Sequence, residues 1–211
     1  MAGPFTDDIL NGPPPPPSDF GFSGGSNEGH GARRRTSLIG LYFLLVSSTM
    51  VFLALLAALL MRRDIGQDWV SIPKPHLLWW NTVALVASSV FIERARRALV
   101  VPDRTAFNKW WTAATILGIW FLVGQALAWK ELKDAGLFIA STPSASFFYI
   151  LTATHAAHLI GALAAVSYVD VQALRFRLGP AKRTIIEVSA IFWHFLDVMW
   201  LCLMAVIYLW T

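Results

Sequence analysis

Four side chains that could bind a metal ion or carry a proton lie inside the last two apolar stretches of the chain. The run "TATHAAHLIGA" contains His155 and His158, and the run "FWHFLDVMW" contains His194 and Asp197. Each pair is three residues apart, a spacing that places both side chains on one face of a helix. Two such helices facing each other would offer up to four nitrogen and oxygen ligands, a set suited to zinc or non-haem iron. The same groups could instead relay protons or join helices inside a membrane.

The composition decides which environment surrounds these groups. Of the 211 residues, 56% are hydrophobic and only 14% are charged, and ten are tryptophan. Soluble domains carry about 25% charged residues. The low charge therefore indicates an integral membrane protein. The lysines and arginines lie at the ends of apolar segments, so membrane topology explains the net charge of +4 better than a nucleic-acid partner does.

Five apolar segments are each long enough to cross a bilayer, which takes about 20 residues of helix. Helices are expected because lipid leaves no partner for unpaired backbone groups. The sequence thus predicts an all-α integral membrane protein, a bundle of five transmembrane helices over residues 38–211. The predicted helices are residues 38–61, 77–100, 110–131, 145–170 and 186–210.

Residues 1–37 differ in composition from the rest of the chain. They are rich in proline and glycine, include the run Pro13 to Pro17, and contain too little apolar material to offset the entropy of ordering. We expect a disordered cytoplasmic tail. The orientation follows from the lysines and arginines, of which twelve fall on the amino-terminal side of the predicted bundle and five on the other. This excess places the amino terminus in the cytoplasm and the carboxyl terminus in the periplasm.

The polar residues within the predicted helices are interpreted as groups that pair helices, with no catalytic or metal-binding role. No second Glu-x-x-His element completes a di-iron arrangement, and the polar groups form patches that do not continue through the bilayer. We expect His194 and Asp197 to face the fourth helix and its histidine pair. Glycines such as Gly118, Gly124 and Gly161 would permit close helix approach. The predicted pairing residues are Gln125, His155, His158, Glu187, His194 and Asp197.

Two long stretches resemble subunit III of the haem–copper oxidases, the cytochrome c and quinol oxidases. They are "SASFFYILTATHAAHLIGALAAV" and "IEVSAIFWHFLDVMWLCLMAVIYLW", and "WWNTVALVASS" and "LGIWFLVGQALAW" resemble two further helices of that family. The resemblance covers residues 38–211 and fits the short five-helix form of the family. The matching residues in the two long stretches are Ser146, Phe147, Phe148, Thr152, His155, His158, Gly161, Glu187, Trp193, His194, Phe195, Asp197 and Trp200.

The resemblance implies an accessory subunit of a respiratory complex in the bacterial plasma membrane. In that family, haem and copper are held by subunits I and II. Subunit III packs on subunit I, binds phospholipid, and supports proton uptake and stability during turnover. Two glutamates usual in the family are replaced here, by Thr49 and Ala128. Roles that depend on those carboxylates are not carried over to this chain.

Residues at the predicted membrane surfaces could contact phospholipid, because arginine meets phosphate groups and tryptophan lies at headgroup depth. Glu93 is expected to pair with Arg96 or Arg97 along the helix. The predicted lipid contacts are Trp79, Trp80, Arg94, Arg96, Arg97 and Trp129.

Two alternatives stay open at this point. One is a subunit III-like partner of a nitric-oxide reductase, with the same fold and another catalytic subunit. The other is a stand-alone membrane metalloenzyme that uses the ligand set His155, His158, His194 and Asp197.

Overall fold

The computed structural model describes residues 25–65, 77–99, 103–175 and 183–210, with side chains described from residue 34 to residue 209 of these ranges. The run Pro13 to Pro17 and the rest of residues 1–24 of the predicted tail lie outside the described residues. Residues 37–211 form one compact unit, and residues 1–36 are assigned to a second unit.

Every element of the described ranges is helical, so the all-α prediction is confirmed. The helices are α1 (Gly25–Ile65), α2 (Leu77–Ala98), α3 (Arg104–Asp134), α4 (Pro143–Leu174) and α5 (Arg183–Trp210).

Four of the five helices are long and apolar enough to cross a membrane, and the chain is a multi-pass membrane protein. These spans are Arg34–Ile65, Arg104–Asp134, Pro143–Leu174 and Arg183–Leu209. Helix α2 is not among them. It has 22 residues, and its last turns contain Glu93 and three arginines, which shorten its apolar part. The prediction of five spanning helices is therefore confirmed for four of them.

Four of the helices extend beyond the apolar segments that predicted them, because hydropathy marks only the part in contact with hydrocarbon; α2 instead ends two residues before its predicted end. Helix α3 begins at Arg104, where the carboxylate of Asp103 accepts a hydrogen bond of 3.0 Å from the Ala106 amide. Helix α4 begins at Pro143, and its cap is the Thr142 hydroxyl. Both caps satisfy amide groups that a helix start leaves unpaired.

Helix α1 begins at Gly25, thirteen residues before the predicted start at residue 38. It therefore includes residues 25–37, which the composition assigned to the disordered tail. This stretch contains no proline. Extending an existing helix adds one backbone hydrogen bond for each residue fixed, whereas starting a new helix is costly. A polar stretch without proline can thus continue the helix of the apolar segment that follows it.

Large aromatic side chains fill the core of the 37–211 unit. Trp111, Trp193 and Trp200 are fully buried. Two glycines permit the close approach that the sequence predicted: a Cβ at Gly118 would meet the Trp193 ring at 2.5 Å, and one at Gly124 would overlap the side chain of Asn81. The prediction is wrong for Gly161, where a Cβ would meet nothing within 4 Å.

Candidate functional site

Two tryptophans of α5 donate hydrogen bonds to hydroxyl groups of α2. The indole N–H of Trp193 donates to Ser88 Oγ and that of Trp200 donates to Thr82 Oγ1, each at 3.0 Å. All four side chains are buried. Ser88 and Thr82 also donate to carbonyl groups of their own helix, at 2.6 and 2.8 Å. Both hydroxyls thus act as donor and acceptor, and they fix how α5 is set against α2. We call this contact, with Ser89 and His194, the polar seam.

His194 belongs to the same seam. Its Nδ1 lies 2.5 Å from the Ser89 hydroxyl oxygen, and the two atoms share one hydrogen bond. Asp197 is 5% exposed and lies near Ser89, but neither carboxyl oxygen has a hydrogen-bond partner among the described residues. The expectation that His194 and Asp197 face α4 is therefore wrong, since both lie on the side of α2. The three-residue spacing fixed their common face on α5 but could not say which helix packs there.

His155 lies in an aromatic cage made by three other helices. Its ring centroid is 6.3 Å from that of Phe52 in α1, 6.0 Å from Phe121 in α3 and 5.0 Å from Trp200 in α5. The side chain is fully buried, and neither ring nitrogen has a hydrogen-bond partner within the described part of the chain. His155 thus packs against aromatic rings of α1, α3 and α5.

The four candidate metal ligands do not come together. His158 lies one turn after His155 in α4, and its Nδ1 donates a hydrogen bond of 2.8 Å to the Thr154 carbonyl of the same helix. His194 is bound on the α2 side. Among the described residues, which include all four candidates, no group of three or more His, Cys, Asp or Glu side chains could hold a metal ion. The proposed metalloenzyme site of His155, His158, His194 and Asp197 is thus not formed.

Helices α2 and α3 each bury one amide side chain. Asn81 and Gln125 are 0% and 1% exposed, and none of their amide atoms has a hydrogen-bond partner among the residues described. The expected cross-helix hydrogen bond of Gln125 is therefore absent. Its neighbour Gly124 lies directly under the Asn81 amide. This part of the bundle is packed too closely for a side chain at position 124.

Helices α3 and α4 are joined by bonds that sequence reasoning missed. The Thr112 hydroxyl donates to the Asp170 carboxylate at 2.7 Å, and the Trp111 indole donates to a carbonyl of α4 at 3.0 Å. Trp129 donates to Thr152 Oγ1 at 3.1 Å. A carboxylate near the end of an apolar segment was the available signal for Asp170. Thr112 and Thr152 gave no such signal, because a threonine in an apolar helix commonly bonds to a carbonyl of its own helix.

The predicted lipid contacts separate into different environments. Trp79 and Trp80 are 55% and 70% exposed, whereas Trp129 is partly buried and bonded to α4. The Arg94 guanidinium lies over the ring of Trp110 in α3, 5.0 Å from its centroid. This arginine is thus directed to α3, away from the ion pairs that its neighbours make.

Arg96 and Arg97 both bind Glu93, at 3.2 and 3.1 Å, so the predicted ion pair forms with both arginines. The three residues line a cavity of about 420 Å³ between α2 and α5. The other charged residues of its lining are Arg183 and Glu187, from the first two turns of α5. Glu187 therefore lies at the end of the bundle, beside the arginines of α2.

The arrangement defines a class: a membrane-embedded helical bundle in which tryptophans, hydroxyl groups and His194 join its own helices. Comparison with known sequences specifies the family. The model of the family "Cytochrome c oxidase subunit III" matches residues 25–211, and the chain belongs to this family.

Curated relatives agree with the family match. A probable cytochrome c oxidase subunit 3 of Mycobacterium tuberculosis is 30% identical over 168 residues, which are 77% of this chain and 83% of the relative. A protein of the same printed name in Nocardia farcinica is 31% identical over 170 residues, with the same coverage of both chains. The cytochrome c oxidase subunit 3 of a Synechocystis species is 27% identical over 195 residues, 89% of this chain and 82% of the relative.

Proposed function

We propose that the chain is the non-catalytic accessory subunit III of a bacterial haem–copper terminal oxidase in aerobic respiration. The observation that carries the proposal is the family match over residues 25–211. The proposed partners are subunit I, on which the chain packs, and subunit II. Haem and copper belong to those subunits in this proposal, and the complex lies in the bacterial plasma membrane.

The accessory role is supported by the contacts that the motif "FWHFLDVMW" of α5 makes. The seam residues Trp193, His194 and Trp200 all bond to hydroxyl groups of α2. Both indole N–H groups and one ring nitrogen of His194 are thus used in contacts within the chain. The motif therefore serves to hold α5 on α2, and the chemistry of oxygen reduction is left to partner subunits.

The proposed topology has five membrane crossings, with α2 as the fifth. Helix α2 packs along α3 and α5, and two of the indole groups of α5 bond to it deep in the bundle. A helix in that position continues the membrane-embedded core even though its last turns are charged. Five crossings place the two termini on opposite sides, and the excess of lysine and arginine favours a cytoplasmic amino terminus and a periplasmic carboxyl terminus.

Phospholipid contact and support of proton uptake complete the proposed role. Trp79 and Trp80 expose their rings at one end of α2, and Arg94, Arg96 and Arg97 lie at its other end. Tryptophan and arginine at the two ends of a helix suit the two headgroup layers of a bilayer. Trp129, also among the predicted contacts, offers less surface because it is partly buried. Lipid held here would keep the subunit seated while the partner subunits take up protons.

Isolation of the native complex in mild detergent tests the proposal. We expect the chain to co-purify with a catalytic subunit that contains haem a or haem o and consumes oxygen. Co-purification with a nitric-oxide reductase would support the alternative partner and overturn the oxidase assignment. A metal bound stoichiometrically to the isolated chain would contradict a subunit without its own redox centre.

The variant His194→Ala tests the structural role of the seam within that complex. Removing the ring leaves the Ser89 hydroxyl without its partner, so α5 should be held less firmly and less of the chain should remain in the complex. The haem spectrum of the remaining complex should be unchanged. Ser89→Ala is the matched variant and should have a similar effect, with little added in the double variant. Loss of a haem band with assembly intact would contradict this role.

A further inference from the structure

A cavity lies between α1, α4 and α5, within the membrane-spanning parts of the three helices. Its volume of about 480 Å³ falls in the range of small-ligand pockets, about 300–1,000 Å³. On α4 the lining runs from Ala157 to Ala165, which is about 12 Å along a helix axis. Ala157 is exposed on the surface of the bundle, so the cavity is reached from the lipid. We call this cavity the apolar slot.

Two glycines keep the apolar slot open. Gly40 of α1 and Gly161 of α4 both line it, and a Cβ at either position would meet nothing within 4 Å. Glycines in membrane helices ordinarily let two backbones approach closely. These two face the slot instead, so their lack of a side chain leaves room for another molecule. This placement explains why Gly161 makes no close helix contact.

Two polar side chains line the slot, and both have hydrogen-bonding capacity to spare. Ser189 of α5 is 3% exposed, and its hydroxyl has no hydrogen-bond partner among the described residues. A hydroxyl buried in this way costs about 1–3 kcal/mol. The Nδ1 of His158 donates to the Thr154 carbonyl, so Nε2 of the neutral ring is an acceptor. The slot thus offers a hydroxyl group and an acceptor nitrogen in apolar surroundings.

The chemistry of the lining selects the kind of ligand. The lining residues, all within the described ranges, include no lysine, arginine, aspartate or glutamate, so a charged group would be unpaired there. A hydrocarbon chain would fill the space but leave both polar groups without partners. An alcohol with one hydroxyl group would serve only one of them. A hydroquinone ring is uncharged and has a hydroxyl group at each end, so it can bond to His158 and Ser189 together.

We propose that the apolar slot binds a prenylated hydroquinone, with one ring hydroxyl donating to His158 Nε2 and the other bonded to the Ser189 hydroxyl. The isoprenoid tail leaves between α1 and α4, along the faces of Gly40 and Gly161, into the lipid. The reduced ring fits better than the oxidised quinone, because Nε2 needs a donor and the carbonyl groups of a quinone only accept. This site goes beyond the proposed function, since it concerns binding by this chain alone and includes no electron transfer.

Equilibrium binding of decylubiquinol to the full chain in lipid nanodiscs, corrected with empty nanodiscs, tests the proposal. Wild type should bind the quinol saturably. Gly161→Leu should weaken binding about tenfold or more, because it places a side chain in the slot, and the Cβ of that side chain meets no other group within 4 Å. Ser189→Ala should weaken binding about two- to tenfold by the loss of one hydrogen bond.

Ser167→Ala is the matched control and should bind like wild type, because Ser167 is a partly buried serine of α4 that does not line the slot. Absence of binding above the empty nanodiscs would show that the slot takes acyl chains or nothing, and would overturn the proposal. Unchanged binding by Gly161→Leu, with its helix content intact by circular dichroism, would also overturn it.

Two further arms test the chemistry of the ligand. Wild type should bind decylubiquinol about two- to tenfold more tightly than decylubiquinone, and equal binding of the two forms would overturn the role of His158. Decanol has a tail of the same length and one hydroxyl group, and it should not displace the quinol. Displacement by decanol at equal concentration would indicate an unspecific apolar groove and contradict a quinol site. Binding by the isolated chain does not depend on oxidase partners, so a failure to co-purify with an oxidase would affect the proposed function alone.

Discussion

Replacing Gly124 by alanine should open the contact between α2 and α3. A Cβ at this position would lie 2.7 Å from Cγ and 2.8 Å from Nδ2 of Asn81, and closer still to Oδ1. The whole amide lies over the glycine, and Asn81 is fully buried, so turning the amide does not make room. The two helices must separate locally by about 1 Å to reach ordinary non-bonded distances of about 3.5–4 Å.

The free energy of unfolding should fall by about 1–2 kcal/mol. Overpacking of a close contact costs about 1–3 kcal/mol. The better helix propensity of alanine returns up to about 1 kcal/mol. Gly161→Ala is the matched control, because it makes the same chemical change in a helix where a Cβ meets nothing within 4 Å. That variant should be as stable as wild type or more stable by up to about 1 kcal/mol.

Unfolding of the chain by SDS in mixed micelles, followed by circular dichroism, gives the stability of each variant. The variant Asn81→Ala supplies the second arm, because without its amide the space above Gly124 is open. Gly124→Ala should therefore cost much less in the Asn81→Ala background, with a coupling energy of about 1 kcal/mol or more. Equal stability of Gly124→Ala and Gly161→Ala, or the same loss in both backgrounds, would refute the close contact.

Three further variants test individual hydrogen bonds by the same unfolding assay. Trp200→Phe should lower the free energy of unfolding by about 0.5–1.5 kcal/mol. A double-mutant cycle with Thr82→Val should show coupling, because the two side chains share one hydrogen bond. Independent effects of the two substitutions would contradict the seam. Thr112→Val should lose about 1.5–3 kcal/mol by leaving the Asp170 carboxylate without its 2.7 Å donor, and Thr112→Ser, which keeps the hydroxyl, should lose less. Tyr149→Phe should lose about 0.5–1.5 kcal/mol, because its hydroxyl donates at 2.9 Å to a carbonyl of the α3–α4 connection; no loss would indicate that water serves that carbonyl equally well.

The number and order of the helices could be predicted from the sequence because burial in lipid leaves a strong local signal. Each apolar segment is continuous, and its ends are marked by proline or charge. Helix ends were harder to locate, because caps such as Asp103 and Thr142 lie in polar stretches outside the apolar segments. Hydropathy therefore carries no information about them. Helix α2 shows the limit of the method, because it packs in the bundle with a shorter apolar part than the other four.

The partners of the polar residues could not be predicted in the same way. The spacing of His194 and Asp197 placed them on one face of α5, but Ser89 carries no sequence signal that would single it out from other serines. Histidines one turn apart suggested a shared site, yet His155 is enclosed by aromatic rings and His158 bonds within its own helix. The family resemblance supplied the function and did not supply these contacts.

The sequence by itself determined that this protein lies in a membrane, that it is helical and to which family it belongs. Hydropathy and motif residues are local properties of the chain, so they can be read without the structure. Only the tertiary structure decided that the terminal motif joins α5 to α2, that Gly124 lies under Asn81, and that Arg183 lines one cavity with Arg96 and Arg97 of α2. These contacts join residues 43 to 118 positions apart in the chain. Several helix arrangements can place the same faces inward, and the packing of side chains selects one of them.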